Sequence, residues 1–338
     1  MRLLRMAVGA VALALMLTAL TACGAAGTVP TTEITTPAQP VEVTLMLDWV
    51  PNVNHTGLFV AQDQGYFEEA GLDVEIVQPG EVYAEQAVAS GAADFGISFQ
   101  EQMTLARADG VPLVSIAAII QHNTSGFASR AADGVETPAD WEGLRYGSFG
   151  SPFEEPTLRA LMECVGADFS QLEIVNTGFA DPLALLDADQ IDLGWIFYGT
   201  EGVAAEQQGI ALSVVMMSDY TDCVPDYYTP VLITSEAMIA DRPEVVRAFV
   251  GAVSRGYQFA IENPDEAAAI LLAQTPESGE ALLRAQQAWL SPRYQADALR
   301  WGEQSVEVWQ AYSQWMVDQG ILAEPIDAQA AFTNEFLP

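Results

Sequence analysis

Short apolar strands alternate with amphipathic helices from Val41 onward, and that alternation leaves few folds open to the chain. Residues 41–47 alternate and are rich in β-branched side chains, Asp48-Trp49-Val50-Pro51-Asn52 interrupts them, and 55–70 carries Leu58, Val60, Ala61 and Phe67 at helical spacing. Gly71 predicts the end of that helix. Strands follow at 74–77, 95–98 and 113–119, separated by helices over 83–90 and 100–108. Near-continuous apolar strands of this kind predict a largely parallel sheet with helices on both faces and ligands at the carboxyl ends of its strands.

The pattern then starts again. A strand at 145–147, the loop Ser148-Phe149-Gly150-Ser151-Pro152, a helix over 156–165, a strand at 172–175, a helix over 182–186 and a strand at 191–196 make a second α/β unit. After a strand at 228–233 only helices remain, over 244–262, 266–273, 277–289 and 305–317, and they must pack on something already built. The economical α/β topology is two lobes, each a mostly parallel sheet flanked by helices. Residues 41–128 and 225–338 form the first, 129–224 the second, and the C-terminal helices pack on the first. Small ligands sit in clefts between such lobes, and rotation about crossovers near 126–129 and 221–230 would close this one.

The charge balance excludes several functions. There are 46 Asp plus Glu against 12 basic residues, all Arg, for a net charge of −34. Without a lysine there is no P-loop and no Schiff-base chemistry, and a chain this acidic offers no basic stripe for nucleic acid. The two histidines, His55 and His122, are far apart in sequence and have no cysteine at ligand spacing, so no metal site is expected. No nucleophile elbow is present, and no cofactor is called for.

The first 22 residues read as a secretory signal: Arg2 and Arg5, an apolar run too short to span a bilayer, then small residues. Leu20-Thr21-Ala22-Cys23 resembles a bacterial lipobox, with a lipidated Cys23 as the first mature residue and the membrane anchor. Residues 23–40, rich in Thr, Pro, Ala and Gly, read as a flexible tether. Cys164 and Cys223 remain as an even pair in an oxidising compartment, and the sequence leaves their pairing open.

Leu47-Asp48-Trp49-Val50-Pro51-Asn52, Gly57-Leu58-Phe59-Val60-Ala61 and Gly65-Tyr66-Phe67-Glu68-Glu69-Ala70-Gly71 resemble the opening of the bacterial thiamine-precursor-binding proteins, the ThiY type within the NMT1/THI5-like group. The resemblance continues through Gly91 to Glu101 and Ser115 to His122. Its more specific segments are Tyr146-Gly147-Ser148-Phe149-Gly150-Ser151-Pro152-Phe153-Glu154-Glu155 and Pro225-Asp226-Tyr227-Tyr228-Thr229-Pro230. It implies a type II periplasmic-binding-protein fold and a monomer that serves an ABC permease and its ATPase from outside the cytoplasm. The implied ligand is an aminopyrimidine. Riboflavin or another heterocycle is the alternative, since relatives diverge in ligand. Fungal members of the group are enzymes that use a lysine-bound pyridoxal phosphate and a cysteine-rich run, neither of which this chain has.

A flat, amine-bearing heterocycle needs aromatic faces and fixed acceptors. The candidates are Asp48, Trp49 and Asn52 after the first strand, and Tyr198 and Glu201 after 191–196, on one face if a helix begins there. The resemblance points to Asp48, Trp49, Tyr198 and Glu201 as holding the pyrimidine. Trp49 is a stacking wall or a core residue; Glu201 is an acceptor or part of a solvated face. One of Tyr227 and Tyr228 faces the cleft, with Tyr228 preferred. Ser148 lies before a helix N-terminus, where Glu154 either meets the ligand or caps its own helix. His55 is a ligand contact or a helix cap.

Overall fold

The computed structural model describes residues 39–338 apart from 81 and 179. The leader 1–22, Cys23 and nearly all of the tether lie outside the described residues. Among the described residues, no helix is long and apolar enough to cross a membrane.

Among the described residues, ten strands form two sheets: β1 (Val41–Met46), β2 (Leu72–Val77), β3 (Phe95–Ser98), β4 (Leu113–Ala118), β5 (Ser125–Arg130), β6 (Arg145–Ser148), β7 (Glu173–Asn176), β8 (Leu193–Phe197), β9 (Leu212–Met216) and β10 (Val231–Ser235). The orders are β2-β1-β3-β10-β4 and β7-β6-β8-β5-β9. In each sheet one strand runs against the rest, β10 in the first and β5 in the second. Those are the two strands that arrive from the other lobe, so the reversal follows from the crossing.

Local sequence explains the elements. β1 buries Val43 and Leu45 on one face only, while every residue of β4 is buried. The helix expected over 55–70 is divided into a 3-10 turn (Val53–His55), a helix over Thr56–Asp63 and another over Tyr66–Glu69. Gly65, at φ 70°, causes the last break. Likewise the helix expected over 277–289 runs from Glu280 to Gln295, with Pro292 inside it.

Helix Pro243–Glu262 lays Val246, Phe249, Val250 and Val253 on the first sheet, where Phe249 stacks on Phe95 at 3.9 Å. Helix Val306–Asp318 reaches further than the first lobe. Its Trp309 belongs to a first-lobe cluster, while Tyr312, Trp315 and Met316 complete the core of the second.

Cys164, ending helix Glu154–Cys164, is disulfide-bonded to Cys223 in the return crossover, with Cα atoms 5.7 Å apart. The bond closes a loop of sequence separation 59, so replacing both cysteines with serine should cost about 2–4 kcal/mol of stability. Urea unfolding checks this, and an unshifted midpoint would deny the bond that role.

Candidate functional site

Strand carboxyl ends bring the loops of the two lobes to face one another. After β1, Asp48 accepts a hydrogen bond from His55 at 2.6 Å. His55 is fully buried, and its Nδ1 accepts the Asn52 amide at 3.2 Å, so the proton sits on Nε2 and is donated to Asp48. The Asn52 side chain accepts the Asn54 amide and donates to the Val50 carbonyl. Asn52 and His55 therefore frame the loop and aim Asp48. Trp49 is 50% exposed, which removes the core reading. Tyr83, 55% exposed and just beyond the neighbouring strand β2, was not singled out in the sequence. Its signal was an aromatic residue directly before a helix at the same sheet edge.

Two further carboxyl groups stand near this edge. Glu85 accepts a hydrogen bond from Ser98, and its pKa is raised mainly by burial, with the charge of Asp48 adding to the effect. Glu101, at the start of helix Gln100–Ala108, is pushed up to about 7 by burial. The Tyr227 hydroxyl bonds it, while its Oε2 has no hydrogen-bond partner among the described residues. Tyr227 is buried and packs against Tyr312 in a tilted pair with ring centroids 4.4 Å apart. Tyr228 is buried as well, and its hydroxyl accepts the Ser305 amide at the start of helix Val306–Asp318.

Glu101 makes a pH-dependent contribution to stability. Between its ordinary 4.5 and about 7, the native state holds a proton that the unfolded chain has released, so stability falls as pH rises through that window. Glu101→Gln should therefore gain on wild type as pH rises from 5 to 8, by about 3 kcal/mol at the upper end. Thermal melts at both pH values test this; a pH-independent difference would contradict it.

In the second lobe, Glu154 is buried and accepts four hydrogen bonds, from the Tyr146 and Ser148 hydroxyls and the Phe149 and Ser151 amides. These donors lie in the strand and loop before the helix, so Glu154 ties that loop together instead of capping its own helix, whose N-cap position is Phe153. Ser148 also accepts the Gly150 amide, which commits it to the same loop.

Tyr198 and Glu201 do not share a helical face. Residues Tyr198–Gly202 form a π-helical turn, a form frequent at functional sites. A Cβ on Gly202 would lie 2.7 Å from the Tyr198 ring, so the turn needs glycine there. Tyr198 stacks at 5.2 Å on Trp289 of the first-lobe helix Glu280–Gln295 and donates its hydroxyl to Glu206. Glu201 turns inward, accepting the Phe197 amide and the Thr200 hydroxyl, and its pKa is raised by burial.

Contacts cross between the lobes. Phe99 and Phe197 stack at 6.4 Å, and Gln286 donates to the Thr200 carbonyl at 3.0 Å. At the crossover, His122 sits between Asp226 (2.5 Å) and Asp297 (2.8 Å), and these carboxylates, Asp226 first, raise its pKa to about 9 against the opposing effect of burial. Among the described residues, no group of three or more His, Cys, Asp or Glu is arranged to hold a metal ion. The arrangement as a whole suits a flat ligand that offers hydrogen-bond donors.

A family model described as NMT1/THI5 like matches residues 52–267. A formylaminopyrimidine-binding protein of Halalkalibacterium halodurans is 32% identical over 297 residues, covering 86% of this chain and 89% of that protein. The riboflavin-binding protein RibY of Chloroflexus aurantiacus is 27% identical over 320 residues, covering 89% and 88%. Other matching relatives are named 4-amino-5-hydroxymethyl-2-methylpyrimidine phosphate synthases. Among solved structures, the periplasmic aliphatic sulphonate-binding protein SsuA of Escherichia coli superposes with a TM-score of 0.69 at 14% identity, over 86% of this chain and 92% of that one. The architecture is thus the two-lobed periplasmic-binding-protein fold, and by family match and relatedness the chain belongs to the NMT1/THI5-like family.

Proposed function

We propose that this chain is the extracytoplasmic solute-binding lipoprotein of an ABC importer, anchored through Cys23, and that it captures an aminopyrimidine thiamine precursor between its lobes for delivery to a permease. The observation that carries the reading is the pairing of an exposed tryptophan, Trp49, with a carboxylate, Asp48, held in place by a buried histidine. A pyrimidine ring stacks on the indole while its exocyclic amine donates to the carboxylate, each such charge-assisted bond contributing about 1.5–3 kcal/mol. The relative at 32% identity, named for binding formylaminopyrimidine, supports this ligand over riboflavin, named for the relative at 27%.

Binding rather than catalysis fits the side chains. No lysine is present to hold an aldimine, and Cys223 is engaged with Cys164 instead of standing free. Closure brings Phe197 and the 198–202 turn of one lobe against Phe99 and Trp289 of the other, so contacts made only in the closed form select it. Small-angle scattering of the full chain with and without formylaminopyrimidine tests the mechanism. Compaction on ligand addition supports it; identical profiles at saturating ligand would overturn closure as the capture step.

A further inference from the structure

A hollow of about 380 Å³ lies where the crossover meets both lobes, lined by His122, Tyr198, Met216, Ser218, Trp289 and Arg293. Nine of the ten arginines among the described residues pair with a carboxylate. Arg293 is the tenth. In a chain with 46 acidic residues, a guanidinium left without one is conspicuous. It lies over the Trp289 ring at 3.6 Å and donates one N–H to the Trp289 carbonyl, which leaves further donors beside the hollow.

The nearby acids are held elsewhere. His122 engages Asp226 with one ring nitrogen and Asp297 with the other, and no carboxylate comes within ion-pair distance of Arg293 among the described residues. Burial lowers the pKa of Arg293, as expected for a partly desolvated cation without a counter-charge. Ala296, on the same wall, has φ 47°, a conformation an alanine rarely adopts and one that clusters at binding sites.

We propose that this hollow is a second ligand site, distinct from the Asp48–Trp49 edge, that takes a small organic carboxylate with a flat apolar body. The carboxylate meets Arg293 and the Ser218 hydroxyl, and the apolar body lies against Trp289, Tyr198 and Met216. Because the helix Glu280–Gln295 belongs to the first lobe while Tyr198 and Met216 belong to the second, an occupant stabilises the lobe angle seen here.

Isothermal titration of the full chain at low ionic strength with benzoate, and with benzamide as its uncharged isostere, tests the site. The expected result is one-to-one benzoate binding at least tenfold tighter than benzamide, lost by tenfold or more in Arg293→Gln and retained within a few fold in Arg293→Lys. Benzoate should bind at least as tightly when formylaminopyrimidine is present, because both occupants favour the same lobe angle. Equal affinity for benzoate and benzamide, no binding at millimolar concentration, indifference to Arg293→Gln, or strict competition with the pyrimidine would each overturn the proposal. The benzoate titration needs no pyrimidine, so a failure of the pyrimidine to bind reads separately, against the proposed function alone.

Discussion

Trp49→Ala is expected to weaken aminopyrimidine binding by about 2–3 kcal/mol, roughly 30- to 150-fold, while the protein unfolds within a degree or two of wild type. Half of the side chain is exposed, so removing it opens no cavity in the core. A ligand face stacked on it, by contrast, loses both dispersion contacts and shielding from water. Asp48→Asn separates the neighbouring contribution: it keeps the shape and the His55 hydrogen bond but removes the charge, and should selectively weaken ligands that carry an exocyclic amine. Titration calorimetry beside a thermal melt checks both variants. A large loss of stability with unchanged affinity in Trp49→Ala would assign the residue to structure.

The second large effect concerns the scaffold. Gly256 of helix Pro243–Glu262 crosses helix Thr56–Asp63 so closely that a Cβ there would lie 1.9 Å from the Gly57 carbonyl oxygen. The obstacle is backbone, which cannot rotate aside as a side chain does. Gly256→Ala must therefore push the two helices apart, and helix Thr56–Asp63 directly follows the loop that holds Asp48 and His55. A cost of about 3 kcal/mol or more is expected, with ligand affinity falling as well. Denaturant unfolding measures the first and titration the second; a variant as stable as wild type would show that the crossing has slack.

Most of the strands and both sheets could be read from the sequence because apolar runs and glycine stops are local signals. Other features could not, β9 (Leu212–Met216) among them. The break at Gly65 is a choice of φ that an otherwise unbroken helical pattern conceals. The separation of Tyr198 from Glu201 depends on a π-helical turn, whose extra residue shifts the register that i, i+3 spacing assumes. Glu101 fell within a segment that marked the family but was not singled out, since burial and a missing hydrogen-bond partner are properties of tertiary structure. That Trp49 is not a core residue was legible, because a tryptophan between an acid and a Pro-Asn turn is an unusual place for one. The roles of Asn52, His55, Ser148 and Glu154 were not, because polar side chains in a loop read alike whether they hold a ligand or hold the loop. Here they hold the loop.

Capture of an aminopyrimidine between the lobes is tested by titrating the full chain with formylaminopyrimidine, hydroxymethylpyrimidine, thiamine and riboflavin side by side. Tight one-to-one binding of a pyrimidine, with riboflavin silent, is the predicted result. Binding of riboflavin alone would contradict the ligand assignment while leaving the fold in place.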